Sequence, residues 1–369
     1  MSGREKWKST MTDRERFNNQ MHHKPVDRCF NMEFGYWKEN FEIWSIFKEN
    51  KITNTQQANE FLAFDKHSGI GGNFWMDPVF EESLVEVKES TKIIINNDGL
   101  LAEVPLNNHG TIAHFLKASI VTPDDWKQVK EERFWRESPT RKVDVAALLK
   151  DHPNDRDYPL SVYVGSMIGR IRDMLTFEGL AYACFDYPEM VEDMVETACV
   201  LVEDFLDQVL PHIQFDFACG WEDICYKNGP IVTLDFFKEV LVPRYKRINK
   251  KLKTAGIDLW YADCDGDIRA ILPYMMDAGI NCIFPLEVNC SGRPGDLIDQ
   301  YGKDLKIMGG FDKMKLIEGK EAIKEYMEYI LPYVEQGGYI PFCDHLCPPD
   351  VKEENYLYYL DLKEKMFGM

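Results

Sequence analysis

No stretch of this 369-residue sequence approaches the roughly 18 consecutive apolar residues that a membrane span needs. The opening MSGREKWKST also lacks the apolar segment of a secretory signal. A cytoplasmic protein is expected, with its ten cysteines reduced and serving as core residues, ligands or reactive groups. Positive charge is scarce as well: 43 Lys+Arg face 62 Asp+Glu, a net charge of −19. Nucleic acid and anionic membranes are gripped by clustered cations, so neither is expected as a partner. No G-x-G-x-x-G follows a strand-like run and there is no P-loop, which removes support from the nucleotide-binding open sheets. No low-complexity tract, sequence repeat or obvious linker divides the chain. What remains is ordinary globular composition, 45% hydrophobic, 13% aromatic and 28% charged, enough for a sizeable core.

Thr12-Asp-Arg-Glu-Arg-Phe17 reads as a helix start, with Thr12 as N-cap and Glu15 in capping-box register, and Pro25 ends that helix. Arg28–Phe34 fits a first strand. Between 74 and 116, β-rich runs flank Asn97-Asp98-Gly99, a strong hairpin signal, so a small antiparallel insertion is expected there. From about residue 158 strands and helices alternate. Strands are expected at Leu160–Gly165, Phe215–Cys219, Asp258–Ala262, Asn281–Pro285, Leu305–Gly309 and Tyr339–Cys343, with helices such as Pro188–Leu210, Leu234–Thr254 and Gly319–Gln336 between them. That rhythm predicts a parallel sheet, and seven strands come close to the eight of a barrel. The expected fold is a distorted (β/α)8 TIM barrel, one domain over 1–369, with an N-terminal extension and the hairpin insertion. An open doubly wound sheet is the rival.

Barrel chemistry sits at the C-terminal strand ends. Those ends are acidic here: Glu33; Glu222-Asp223; Asp263-Cys-Asp-Gly-Asp267; Glu287; Asp312-Lys313; and Cys343-Asp-His-Leu-Cys347. Carboxylates, thiols and an imidazole at one mouth repel one another unless a cation or shared protons neutralise them, and a divalent metal is the economical answer. Each has a plainer reading beside it. Asp267 serves equally well as a cap for the helix after it, Cys264 as a core thiol, and Glu287 as a solvated loop acid. Asp263 and Asp265 are harder to dismiss, because residues two apart on an extended end face the same way. Aromatic residues at or near the same ends, among them Tyr36, Trp37 and Tyr226, suit a flat apolar substrate.

Several stretches together resemble the uroporphyrinogen decarboxylase superfamily over nearly the whole length: Thr12-x-Arg-Glu-Arg-Phe17, Pro25-Val-Asp-Arg28, Gly165-Ser-Met-Ile-Gly-Arg-Ile-Arg172, Trp221-Glu-Asp-Ile-Cys-Tyr-Lys-Asn-Gly-Pro230, Asp263-Cys-Asp-Gly-Asp267, Met308-Gly-Gly-Phe-Asp-Lys313 and Gly337 to Asn355. The resemblance implies a distorted barrel with its site in the mouth. True decarboxylases of this superfamily carry an N-terminal arginine-rich signature; here Glu33 stands near that place. The other large branch contains zinc- and corrinoid-dependent methyltransferases, whose metal pattern is His-x-Cys after one strand and Cys near the last. Asp263-Cys264-Asp265 matches the first part in position only, and Cys343 or His345 lies near the late Cys.

The expectation is therefore a zinc-dependent methyltransferase that moves a methyl group from an aromatic ether or amine to the cobalt of a separate corrinoid protein. Zn²⁺ ligands are sought among Asp263, Asp265, Glu287, Cys343 and His345, with His345 and Asp265 in catalytic roles. Glu33, Tyr36, Trp37, Glu222 and Tyr226 are expected to shape the substrate pocket. No Asp-x-His-x-x-Gly motif is present, so the cobamide must arrive on the partner. The alternatives are a decarboxylase of a porphyrinogen or aromatic acid, and a non-catalytic barrel that binds a small molecule. The oligomeric state stays open, a homodimer included.

Overall fold

A computed structural model describes residues 3–106 and 113–368. Its centre is a curled parallel sheet of seven strands: β1 (Ser68–Ile70), β6 (Leu160–Tyr163), β7 (Phe217–Trp221), β10 (Trp260–Asp263), β11 (Cys282–Leu286), β12 (Lys306–Phe311) and β13 (Tyr339–Cys343), neighbours in that order. Helices alternate with these strands, giving the distorted (β/α)8 barrel that the sequence pattern anticipates. Between β1 and β6 the chain forms a four-stranded antiparallel sheet, β2 (Ser83–Val87), β3 (Thr91–Ile95), β4 (Leu101–Pro105) and β5 (His114–Lys117). The insertion is thus larger than one hairpin, although residues 107–112 of the expected 74–116 lie outside the described residues. Gly99, at φ +81°, makes the β3–β4 turn that Asp98-Gly99 signals. A two-residue pair, β8 (Cys225–Tyr226) and β9 (Gly229–Pro230), follows β7.

Six expected strands fall within two residues of their places. The seventh does not. Residues 28–34 run extended but form no ladder, because their polar groups are engaged elsewhere. Cys29 N donates to Phe367 O at 2.9 Å, Asn31 N to Asp65 Oδ2 at 2.9 Å, and Asp65 N to Asn31 O at 2.8 Å. The segment ends in a single bridge from Tyr36 to Cys347. It fills the gap between β13 and β1 as an irregular stave, and β1 takes the place in the sheet that Arg28–Phe34 was expected to hold.

Strand alternation sorts the side chains into two cores. Inward residues of β7, β10, β11, β12 and β13, among them Phe217, Phe284, Met308 and Phe342, pack with Phe17, Met21, Phe30 and Met32. Outward residues pack against the helices. The first helix, Asp13–Met21, starts on the capping box, with Glu15 N donating to Thr12 Oγ1 at 3.1 Å and Thr12 N to Glu15 Oε2 at 2.9 Å. Its Phe17 meets Phe217 at a ring separation of 4.7 Å, at the end of the barrel opposite the mouth. Among the described residues no helix is long and apolar enough to cross a membrane.

Candidate active site and metal centre

The mouth is built around Glu222, the first residue beyond β7. Its carboxylate accepts from Ser166 Oγ (3.1 Å), Met167 N (2.9 Å), Ile168 N (2.9 Å), Gly169 N (3.2 Å) and Tyr245 Oη (2.7 Å). Burial raises its pKa against the pull of these donors. With every lone pair engaged, Glu222 ties the β6 and β7 ends together, a framework role in place of the expected substrate contact. Tyr245→Phe is expected to cost about 1–3 kcal/mol by leaving part of that buried acceptor unsatisfied; urea unfolding measures it, and a cost near zero would refute the framework role.

The next residue, Asp223, is turned by a left-handed backbone, φ +47°. Such strain in a non-glycine residue persists where the surroundings enforce it, typically at functional sites. The turn brings Asp223 to the end of β10. There Asp263, inward like Tyr261 two residues before it, and Asp265 complete a group whose carboxylate oxygens lie within 4.8 Å of one another. Asp265 N donates to Asp223 Oδ1 at 3.0 Å. Gly266 permits this loop: at φ +84° it sits so close that a Cβ would come within 2.6 Å of the Cys225 carbonyl oxygen.

This trio is only partly compensated, by His345 and, for Asp223, by Arg172. The Asp263 carboxyl group has no hydrogen-bond donor among the described residues, and burial together with Asp223 and Asp265 pushes its pKa up to about 8. Asp223 is also shifted upward, by burial first and then by Asp265. Asp265 Oδ1 is buried without a partner, while Oδ2 lies 3.3 Å from His345 Nε2. The Asp265 carboxylate raises the His345 pKa more than burial lowers it. An imidazolium beside one acid of three leaves a net negative cluster, the electrostatic setting a divalent cation fits. The donors are oxygen with imidazole adjacent, a set Zn²⁺ accepts.

Below the trio opens a cavity of about 950 Å³ that reaches Asp263; one wall is Phe34, Tyr261, Phe284 and Phe217, and the rest is largely polar, with Gln56, Asp65, Lys66 and His67 among its residues. Tyr261 stacks on Phe284 at 4.4 Å and 17°, and Phe34 meets Phe284 and His345 edge-on at 5.0 and 5.8 Å.

The other expected residues are placed differently. Cys343 points outward from β13, buried against Cys347 away from the trio, and the hydrogen bond with the Cys347 thiol, then burial, raise its pKa well above normal. Such a thiol is not poised as a ligand. Glu287 is at the mouth but committed: Oε1 is 3.0 Å from Lys313 Nζ and Oε2 accepts from Gly266 N at 2.9 Å. Asp267 pairs with its own neighbour Arg269 at 2.7 Å. Tyr36 is buried among Phe41, Trp44 and Phe47, its hydroxyl 2.6 Å from that of Tyr356, so it is a packing residue and not a pocket wall. Trp37 and Tyr226 are exposed, Tyr226 against Phe177. Glu33 does line the cavity beneath the trio, as expected, but its carboxylate is paired with Lys363 at 2.7 Å. The residue absent from the expected set is Asp223. It stands in the Trp221-Glu-Asp run at a strand end, but only the left-handed turn shows that it, and not Glu222, joins Asp263.

A parallel barrel with its acids gathered at the C-terminal strand ends is of the enzyme-bearing type. The family model described as Uroporphyrinogen decarboxylase (URO-D) matches residues 103–365, and the chain belongs to that family. Among solved structures, a methyltransferase from Methanosarcina mazei shares the fold, with TM-score 0.58 and 11% identity over 96% of this chain and 99% of that one. A hyperthermophilic beta-glucosidase mutant aligns at 11% identity over 86% of this chain and 88% of its own, but with a TM-score of 0.23 that carries no weight. No curated protein sequence matches significantly.

Proposed function

We propose that this chain is a methyltransferase that binds a divalent cation, Zn²⁺ being the first candidate, and transfers a methyl group from an aromatic ether or amine to the cobalt of a separate corrinoid protein. The observation that carries the reading is the trio Asp223, Asp263 and Asp265, only partly compensated by His345 and set over a cavity with one aromatic wall. Membership of the URO-D family and the likeness to a methyltransferase support it. A decarboxylase reading has less support, since Asp263 faces two further acids.

The three aspartates would hold the cation, which supplies Lewis acidity toward the substrate heteroatom. Phe34, Tyr261 and Phe284 hold the ring of the substrate and keep water from its face. His345, whose protonated form Asp265 favours, stands ready to give a proton to the heteroatom as its bond to the methyl carbon breaks.

Metal analysis after gentle purification is expected to find one divalent ion per chain, and Asp265→Ala or Asp223→Ala to remove it. Equal metal content in parent and variants would sink the proposal, as would absence of methyl transfer when the loaded protein is offered methoxyarenes and a reduced corrinoid protein.

A further inference from the structure

A second pocket, of about 140 Å³, lies beside the mouth between the end of β6 and the segment that leads into the antiparallel sheet. Aromatic rings of Phe74, Trp75, Trp126, Phe134 and Tyr163 wall it, and Arg170 is the charged residue in its lining. The size matters: an apolar cavity near 150 Å³ is about what one benzene ring fills.

Arg170 is held in an unusual state for a guanidinium. It lies over two indoles, 5.2 Å from the Trp75 ring centroid and 5.5 Å from that of Trp221. Trp75 is fixed in turn, its Nε1 donating to Asp98 at 2.9 Å. Arg170 pairs with one carboxylate, Asp173, whose Oδ2 lies 3.5 Å from Nη1, beyond a normal hydrogen-bond length, while Asp173 Oδ1 is held by Arg172 at 3.2 Å. The Arg170 fork therefore donates no hydrogen bond of ordinary length to a described residue. A planar fork set against aromatic rings, with one long ion pair and no direct hydrogen bond, matches the two oxygens of a carboxylate.

We infer that this pocket binds a single-ring aromatic carboxylate, with the ring among the aromatic side chains and the carboxylate on Arg170. The site goes beyond the metal reading and does not rest on it, since its lining contains none of the three aspartates. Tyr163 lines this pocket and not the cavity beneath the trio.

Calorimetric titration of the full chain in EDTA with benzoate and with its neutral counterpart benzamide tests the inference. Benzoate is expected to bind, with benzamide at least about tenfold weaker, the low end of what a charge-assisted pair confers. Arg170→Gln should bring benzoate down to the level of benzamide. Arg170 is half-exposed, so the variant should keep its melting temperature. Phe134→Leu, in the aromatic wall and not against the guanidinium, should weaken both ligands alike. Equal affinity for benzoate and benzamide, an Arg170→Gln variant that binds benzoate as the parent does, or benzoate binding that appears only with a divalent ion would each overturn it. The last outcome would assign the carboxylate to the aspartate trio, whereas loss of metal binding alone would leave this site untouched.

Discussion

Lys363→Met should destabilise the protein by about 3–5 kcal/mol, the usual result of removing one partner from a buried ion pair. The Lys363 and Glu33 side chains are almost fully enclosed, and Lys363 Nζ lies 2.7 Å from Glu33 Oε1 and 2.8 Å from Met32 O. Methionine fills a similar volume without the charge. Among the described residues the Glu33 carboxylate would then keep only Tyr359 Oη at 2.8 Å and Cys343 N at 3.2 Å. Adding Glu33→Gln should recover a large part of the loss, because the uncompensated charge goes with it. Urea unfolding of both variants decides the matter; a single-variant loss below about 1 kcal/mol would show that the pair contributes little. The pair also secures residues 32–34, so Phe34 should lose its fixed place beside Phe284 and His345.

Asp263→Asn is expected to act in the opposite direction on stability while impairing the site. Its carboxyl is raised to about 8 in the fold, so between the ordinary carboxylate range and that value the native state holds a proton that the unfolded chain has released. Stability contributed at this position therefore falls as pH rises through that window. Asparagine does not titrate. In EDTA the advantage of the variant should grow from pH 5 to pH 8 and then level off, reaching on the order of 2–3 kcal/mol after discounting for solvent at the mouth. With a divalent cation present the ranking should invert, since the parent gains binding free energy that the variant lacks. A variant no more stable than the parent at pH 8 in EDTA would remove the case that these acids oppose one another.

Much of the barrel was legible because its signals are local. Strand-helix alternation after residue 158, the capping box at Thr12 and the Asp98-Gly99 turn each depend on residues near in sequence. Residues 28–34 misled for the same reason: their composition is that of a strand, but Asp65, Gln20 and the chain end at Phe367 claim their backbone groups. The pairing of Asp263 with Asp265 was readable from the two-residue period. The roles of Glu33 and Tyr36 were not, because what encloses them, Lys363, Tyr356 and Tyr359, is more than 300 residues away.

The sequence by itself thus determined an acidic chain, a parallel α/β barrel, and carboxylates at its strand ends. Only the tertiary structure decided which acids remain available. Glu222, Glu287 and Glu33 find hydrogen-bond donors or cations and are neutralised within the fold. Asp223, Asp263 and Asp265 are brought within 4.8 Å, and among the described residues no cation balances all three. Coulomb energy depends on distance and burial, and neither is written in the order of residues along a chain.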